Sequence, residues 1–415
     1  MASARDVLRY PAVRRYLWST GLAAVGVNIL ITVLFKQAFD ISGNELDIGF
    51  IGLAMFIPAV LLVLVSGWVA DRFDRRRVTG LFLFGRAACA VAFVVYSQID
   101  PGTIWPLFLI SFVMGGVDAM ISPARRSMAP LLTEQVDFPH VVALWTATFT
   151  ASAIVGPVLG GFLYSAGPSV AYALVALLKL AAIAPILMIK YARQQERLTD
   201  RPTLHKALEG LHFVGRTPVV LATISLDLFA VLFGGAIALI PAVASERLHV
   251  GDIAYGWLRA APGIGAAAMA VWLAARPIKR RVGPTLLVVV AIFGAGTMVF
   301  GITTNYAVAF AALIVISAAD MISMFIRGSI VPLVTPNDQL GRVTAVEGVF
   351  IGASNELGAF ESGVTARAFG LSWAIAGGGL MTMAVAATFA VVFPSLRRID
   401  TFEELNPDLT EVSVV

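Results

Sequence analysis

Charged residues and cysteine are both scarce in this chain. Asp, Glu, Lys and Arg make up 13% of its 415 residues, whereas hydrophobic residues make up 58%. Because a soluble domain carries about a quarter charged residues, this composition excludes a soluble fold for the whole chain. Cys89 is the only cysteine, which excludes internal disulfides and cysteine-based metal clusters. The four histidines show no metal-ligand spacing, so we expect no metal site.

Signatures of enzymes and of ATP-driven machines are also missing. The sequence has no phosphate-binding loop of the Gly-x-x-x-x-Gly-Lys type, which argues against ATP as the power source. A nucleophile, a base and an orienting group do not occur together, so we do not expect an enzyme. We therefore expect a protein without a cofactor.

Long apolar runs dominate the chain instead. A helix needs about 20 apolar residues to cross a bilayer core about 30 Å thick, and twelve runs have about that length. They lie at residues 17–40, 48–70, 78–98, 104–123, 141–164, 170–190, 218–244, 253–275, 284–303, 306–325, 343–366 and 372–394. Such continuous runs do not fit the short alternating strands of a membrane barrel. The sequence predicts an all-α membrane protein with twelve transmembrane helices.

The distribution of basic residues predicts the orientation in the membrane. One set of alternate loops holds 24 of the 30 Lys and Arg residues, and the positive-inside rule places that set in the cytoplasm. Because the number of spans is even, both termini are then cytoplasmic. This topology explains the net charge of +4, so we expect a lipid bilayer and no nucleic acid as a partner.

The two halves of the chain share residues at a fixed offset of 202 positions. The pairs are Asp118 and Asp320, Arg125 and Arg327, Ser127 and Ser329, Pro130 and Pro332, Leu131 and Leu333, Thr133 and Thr335, Gly156 and Gly358, and Gly161 and Gly363. Tandem membrane-embedded halves are typical of transporters. We predict an N-terminal six-helix bundle at 1–190, a cytoplasmic linker at 191–217, a C-terminal six-helix bundle at 218–394 and a cytoplasmic tail at 395–415. Within the linker, residues 204–214 predict a short amphipathic helix at the membrane surface.

A glycine, an acid and a basic cluster follow the second predicted span. Gly67 is followed by Asp71 and Arg72, and then by Asp74 and Arg75. This pattern resembles the loop signature of the major facilitator superfamily, which implies two pseudo-symmetric six-helix bundles and a transport function. The superfamily usually has a second glycine where Asp74 stands, so we expect a different turn or a different pairing there.

The resemblance predicts a cytoplasmic gate around this loop. A glycine at position 67 lets two helices approach closely, and Asp71 can lie against the positive end of a neighbouring helix. Arg75 can pair with a carboxylate of another span, for which Asp118 is the candidate. The predicted gate residues are Gly67, Asp71, Arg72, Arg75, Asp118, Arg125, Asp320, Arg327 and Glu347.

The fifth predicted span carries a small-residue motif made of Gly156, Pro157, Gly160 and Gly161. It resembles the glycine–proline signature of drug:proton antiporters within the same superfamily. Gly156 and Gly160 lie one turn apart on a smooth face, while Pro157 removes a backbone donor and bends the helix. We expect this face to pack on the eighth span near Gly263 and Gly265, although ordinary packing of small residues explains the same motif.

Over residues 11–394 the chain resembles the bacterial exporter branch that includes the enterobactin exporter and macrolide-type efflux pumps. The stretches at 123–132 and 340–343 are typical of that branch. The resemblance implies export across the bacterial inner membrane, with a drug or a siderophore as cargo.

Polar residues follow one face of the first predicted span. Asn28, Thr32, Lys36 and Asp40 recur every four residues, which places them on one side of a helix. Since the first span lines the central cavity in this superfamily, the stripe predicts substrate contacts by Asn28, Thr32 and Lys36. A mutual ion pair of Lys36 with Asp40 near the outer surface is the alternative.

Several carboxylates lie within predicted C-terminal spans, where a charge is costly. Asp227 has no basic residue one turn away, and an unpaired carboxylate at that depth favours its protonated form. Asp227 is therefore the first candidate for proton coupling or for contact with a cationic solute, and Glu356 is the second. Both are also candidates for the substrate cavity, together with Glu361. A local hydrogen-bonded role is the alternative for Asp227.

Two cations lie within predicted N-terminal spans, Arg86 in the third and Lys179 in the sixth. Neutralisation of a nearby acid or contact with a lipid headgroup explains them, and contact with an anion is the alternative. A cavity with one basic wall from the N-terminal half and one acidic wall from the C-terminal half would suit an amphipathic or zwitterionic solute.

The sequence thus predicts a monomeric secondary active exporter. It would use the proton gradient to move an amphipathic small molecule by alternating access. Uptake or flipping of a lipid-like or other small solute by the same fold is one alternative. A non-transporting membrane sensor or scaffold is another.

Overall fold

The computed structural model describes residues 7–99, 102–126, 128, 131–132, 138–190, 204–336 and 339–405. Residues 191–203 of the predicted linker and the last ten residues of the tail lie outside these ranges, as do Ser127, Pro130 and Thr133 of the repeat. Nearly all of the described residues are helical, and they contain no β-strand.

Seven helices with described bounds lie before the linker. They are α1 (Pro11–Ser42), α2 (Glu45–Leu61), α3 (Val63–Arg72), α4 (Arg75–Gln98), α5 (Trp105–Arg126), α6 (Phe138–Tyr164) and α7 (Pro168–Leu187). The helices after it are α8 (Leu204–Arg216), α9 (Pro218–Phe233), the short α10 (Ile240–Ala242), α11 (Asp252–Ala275), α12 (Val282–Ile302), α13 (Tyr306–Val334), α14 (Leu340–Phe369), α15 (Leu371–Val392) and α16 (Pro394–Arg398). Short 3₁₀ and π turns at Ala236–Leu239 and Val243–Arg247 extend α9 and α10 into one longer segment.

Ten of the described helical segments are long and apolar enough to cross a membrane. Two of the twelve predicted spans fall short of that measure for different reasons. The span predicted at 48–70 is interrupted at Leu62, where α2 ends and α3 begins. The span predicted at 343–366 lies in α14, which is 30 residues long but rich in polar side chains. The count of twelve and the side of the termini stay predictions.

The chain divides into two compact units. Unit 1 contains Met1–Pro202 and Val250–Ala260, and unit 2 contains Thr203–His249 and Ala261–Val415. The first turns of α11 therefore group with unit 1, and the rest of α11 groups with unit 2. The domain boundaries predicted from the sequence stay predictions.

The same helix pairs recur in the two units. In unit 1, α1 packs against α6 and α7, and α4 packs against α5 and α7. In unit 2, α9 packs against α14 and α15, and α12 packs against α13 and α15. Both α1 and α9 begin with a proline in the first turn, where its missing N–H removes no helical bond. The tandem repeat of the sequence is thus a repeat of packing.

The amphipathic helix expected in the linker is present as α8. It packs against α14, where Glu209 lies 2.7 Å from Arg342 as an ion pair. A side-chain carbon at Gly210 would lie 2.9 Å from the Arg342 carbonyl oxygen, so the two backbones approach closely there.

Candidate functional site: buried charges of the two units

Asp74 caps the start of α4 and explains the departure from the loop signature. Its carboxylate accepts from the Arg76 backbone N–H at 2.9 Å and from the Arg76 guanidinium at 3.1 Å and 2.6 Å. The same guanidinium donates to the Ile189 carbonyl at 2.6 Å. Because φ at Asp74 is −62°, no glycine is required. Hydrogen bonding by the Arg76 guanidinium lowers the pKa of Asp74 to about 2.

Gly67 does not make the close contact predicted for it. A side-chain carbon at this position would meet nothing within 4 Å among the described residues, so that prediction is wrong. The nearby Arg72 guanidinium lies 5.4 Å from the centre of the Trp68 ring as a cation–π contact. The side chain of Asp71 lies outside the part of the chain that the structure describes.

Asp118 of α5 forms an ion pair with Arg86 of α4 inside unit 1. The prediction that Asp118 pairs with Arg75 is therefore wrong, whereas the neutralising role expected for Arg86 is confirmed. Arg125, further along α5, donates to the Ser19 hydroxyl at 3.1 Å. The gate role of these residues stays a prediction.

Lys179 of α7 is buried in unit 1 without an acidic partner among the described residues. It is 1% exposed, and its ammonium group donates to the Ala23 carbonyl of α1. Gly26 makes room for it, since a side-chain carbon at Gly26 would lie 3.2 Å from Lys179 Cε. No carboxylate of the described residues lies within 4 Å of its ammonium, so the neutralisation expected for Lys179 is not found.

The polar stripe of α1 packs against the glycine face of α6. Asn28 donates to the Ala24 carbonyl at 3.0 Å, and Thr32 donates to the Asn28 carbonyl at 2.7 Å. Side-chain carbons at Gly156 and Gly160 would lie 2.3 Å and 3.1 Å from the Cβ atoms of Asn28 and Thr32. Thr32 is fully buried there. Thr32 therefore exposes no surface in unit 1 through which it could contact a substrate. Asn28 is half-buried, and its substrate contact stays a prediction.

The same motif also meets the first turns of α11. A side-chain carbon at Gly161 would lie 2.6 Å from the Gly256 Cα, and one at Gly256 would lie 2.8 Å from the Pro157 carbonyl oxygen. The predicted contact between these two spans is thus confirmed. It is made at Gly256, about two helical turns before the expected Gly263 and Gly265 on the same helix.

Lys36 lies between two aspartates within unit 1. Its ammonium group is 2.5 Å from Asp40 and 3.7 Å from Asp252, and Tyr164 donates to Asp40 at 2.7 Å. The alternative in which Lys36 pairs with Asp40 is therefore confirmed. Sequence reasoning missed Asp252 and Tyr164, because both lie more than a hundred positions from the stripe and no local pattern links them to it.

Asp227 and Arg327 form a buried ion pair in unit 2. Arg327 Nη1 lies 2.7 Å from Asp227 Oδ2, and the two residues are 5% and 6% exposed. The Arg327 Nε also donates to the Ser323 hydroxyl at 3.2 Å. The prediction that Asp227 has no basic partner is wrong, because α13 brings Arg327 to it from a distant part of the chain.

Asp320 shares a small cavity with this ion pair. The cavity has a volume of about 10 Å³ and is lined by Asp227, Asp320, Ser323, Ala230, Val231, Val289, Val290, Phe293 and Ala319. The repeat equates Asp320 with Asp118, yet α12 has no charged residue that could pair with it as Arg86 pairs with Asp118. The Asp320 carboxylate makes no hydrogen bond or ion pair with the described residues. Two carboxylates therefore face one cavity beside a single guanidinium.

Three half-buried glutamates lie along α14, namely Glu347, Glu356 and Glu361. Among the residues that the structure describes, none of their carboxylates has a hydrogen-bond or ion-pair partner. Among the described residues in the long helices of unit 2, the buried and half-buried carboxylates without a partner therefore outnumber such cations. The coupling and cavity roles of Glu356 and Glu361 stay predictions.

Residues 16–359 match the sequence model of the Major Facilitator Superfamily. The match covers most of the chain, including the loop with Gly67 and Asp74 and every repeat position except Gly363.

Two relatives and one solved structure extend this match. The multidrug efflux pump Tap of Mycolicibacterium fortuitum is 25% identical over 405 residues, which cover 92% of this chain and 96% of Tap. YfiS of Bacillus subtilis, an uncharacterized MFS-type transporter, is 28% identical over 284 residues, which cover 66% of this chain and 64% of YfiS. The chain thus spans just under two thirds of the length of YfiS.

A crystal structure of a D-xylose–proton symporter has the same fold. It aligns with a TM-score of 0.73 at 12% sequence identity, covering 92% of this chain and 97% of that one.

Proposed function

This chain belongs to the Major Facilitator Superfamily, and we propose that it exports an amphipathic small molecule in exchange for protons. It is a multi-pass membrane transporter, and we place it in the inner membrane of a bacterium. In this proposal it acts as a monomer, alternates access between the two sides of the membrane and needs no cofactor beyond the proton gradient.

The observation that carries the proposal is the excess of buried acid in unit 2. Asp227, Asp320 and Glu356 lie within or between its helices, and Arg327 is the one cation bonded to any of them among the described residues. A carboxylate in the membrane is costly when ionised. Taking up a proton removes that cost, so such groups can bind and release protons during transport.

Glu356 is the proton site that we propose. An ion pair favours the ionised form of a carboxylate, and Asp227 is held in one by Arg327. Glu356 is half-buried and has no such partner among the described residues. Its protonation can therefore favour one conformation over the other, because the neutral group tolerates apolar surroundings that the charged group does not.

The relative Tap supports the direction and the class of cargo. Its name describes a multidrug efflux pump, and its match extends over nearly the full length of both chains. Drugs of that kind are amphipathic, and the glycine–proline motif at Gly156–Gly161 resembles that of drug:proton antiporters.

Transport into inverted membrane vesicles tests the proposal. Vesicles containing the protein are energised with an acidic interior and given ethidium as a cationic probe or 1-anilinonaphthalene-8-sulfonate as an anionic one. We expect at least one probe to accumulate, and we expect nigericin, which collapses the pH gradient, to abolish the accumulation. We expect Glu356→Gln to reduce gradient-driven accumulation, whereas Glu403→Gln, at an exposed glutamate, should not.

Accumulation that survives nigericin would refute proton coupling. Movement of labelled phospholipid between leaflets, without accumulation of either probe, would favour a lipid-flipping transporter instead. Full coupling in Glu356→Gln would leave the exporter proposal standing but would remove Glu356 from it.

A further inference from the structure

Unit 1 contains more buried positive charge than buried negative charge. Arg86 is neutralised by Asp118, whereas Arg125 donates to the Ser19 hydroxyl and Lys179 donates to a backbone carbonyl. Neither Arg125 nor Lys179 has a carboxylate within 4 Å among the described residues. A charge within a bilayer is costly unless it is paired, and such a charge marks a functional site by default.

The second half of the chain shows that the fold does not need the charge of Lys179. Lys179 is the eleventh residue after Pro168 at the start of α7, and Thr382 is the eleventh after Leu371 at the start of α15. The Thr382 hydroxyl donates to the Ala230 carbonyl at 3.1 Å, as Lys179 donates to the Ala23 carbonyl.

The two acceptor carbonyls also correspond to each other. Ala23 is the twelfth residue after Pro11 at the start of α1, and Ala230 is the twelfth after Pro218 at the start of α9. The same interhelical bond is therefore made by a neutral hydroxyl in unit 2 and by an ammonium group in unit 1. The bond alone does not explain a lysine at this place.

A small cavity in unit 1 brings the lysine and an arginine together. Its lining combines Lys179 and Arg86 with the apolar residues Val27, Leu30, Met55 and Met114. The cavity has a volume of about 10 Å³, room for about one water molecule. Met55 and Met114 in this lining are unbranched side chains that adapt their shape readily.

We propose that Lys179 binds the carboxylate of an amphipathic organic anion beside the Arg86–Asp118 ion pair. This proposal rests on the proposed transport function and names the class of its substrate. The ammonium group of Lys179 pairs with the carboxylate, while the apolar lining contacts the hydrocarbon part of the same molecule. A small inorganic anion would gain nothing from that apolar lining, which is why the ligand is organic.

Equilibrium binding of three matched probes tests this proposal. The purified protein is titrated calorimetrically with 1-naphthylacetate, 1-naphthaleneethanol and 1-(1-naphthyl)ethylamine, which carry a negative, a neutral and a positive group. We expect the carboxylate to bind most tightly. Lys179→Thr, which copies Thr382, should weaken binding of 1-naphthylacetate by about 10- to 100-fold, as loss of a charged hydrogen bond does. Binding of the alcohol should stay unchanged.

Two control variants separate the charge from other effects. Lys179→Arg keeps the positive charge and should retain the preference for the carboxylate. Lys279→Thr makes the same chemical change at an exposed lysine and should leave all three affinities unaltered.

Equal affinity of the wild-type protein for the three probes would overturn the proposal without any variant. Unchanged binding of 1-naphthylacetate to Lys179→Thr would overturn it as well. Because the titration uses no ion gradient, a failure of proton coupling would not affect its result, and the two proposals are tested separately.

Discussion

Replacing Asp227 by Asn leaves the Arg327 guanidinium buried without its counterion. Both residues are less than one tenth exposed, and the ion pair is 2.7 Å long. Breaking a buried pair of this kind costs about 3–5 kcal/mol, mainly because the remaining charge stays desolvated. We expect Asp227→Asn to lower the stability of unit 2 by that order, measured by thermal unfolding of the purified protein through its tryptophan fluorescence.

A double-mutant cycle decides whether the loss comes from the ion pair. Asp227→Asn combined with Arg327→Gln removes both charges, and we expect it to recover most of the lost stability. Asp320 faces the same cavity and can take over part of the pairing, so Asp227→Asn with Asp320→Asn should be less stable than Asp227→Asn alone. Wild-type stability of Asp227→Asn, or strictly additive losses in the double variant, would refute this reasoning.

Two further predictions follow from the packing of α6 and the cap of α4. A methyl group at Gly156 would lie 2.3 Å from the Asn28 Cβ, so Gly156→Ala should destabilise the protein by about 1–3 kcal/mol, whereas Gly67→Ala should not; equal unfolding temperatures would contradict the contact. Asp74→Ala should cost about 1 kcal/mol as a lost cap, and Asp74→Asn, which keeps the acceptor, should cost less. Because the folded-state pKa of Asp74 is lowered to about 2, the contribution of its charge is present above pH 3.8 and is lost as the pH falls through 2. A difference between wild type and Asp74→Ala that stays constant from pH 5 to pH 2 would contradict this assignment.

Features with a local signature could be predicted from the sequence. Apolar run length predicts where the helices lie, and the glycine–proline motif of α6 predicts a close contact with α11 that the structure confirms. The interruption at Leu62 had no such signature, because hydropathy responds to side chains and not to backbone hydrogen bonds. The position of the α6–α11 contact, at Gly256, depends on how the helices are aligned along their axes, which a single sequence does not reveal.

The pairing of buried charges could not be predicted for a related reason. No cation occurs within one helical turn of Asp227 in the sequence, whereas Arg327 reaches it from another helix. The loop signature suggested Arg75 as the partner of Asp118, but Asp118 forms its ion pair with Arg86, which lies about three turns further along the same helix α4. Which buried acid pairs with which distant cation depends on how the helices pack. Sequence periodicity predicts the helices but does not predict how they pack.

Internal repetition proved more informative than any single motif. Thr382 makes in the second half the interhelical hydrogen bond that Lys179 makes in the first half. The bond therefore does not require a positive charge, and the charge of Lys179 is an addition of the first half. The same comparison applied to Asp118 and Asp320 shows an acid kept in both halves but neutralised in only one of them.

Proton release on substrate binding tests the central claim most directly. The purified protein is placed in weakly buffered solution with a pH-sensitive dye, and the amphipath that accumulates in the vesicle assay is added at saturation. If unpartnered carboxylates of unit 2 exchange protons for substrate, the wild-type protein and Glu403→Gln should release protons, and Glu356→Gln should release fewer. An absence of release from the wild-type protein, or an equal release from Glu356→Gln, would contradict the account.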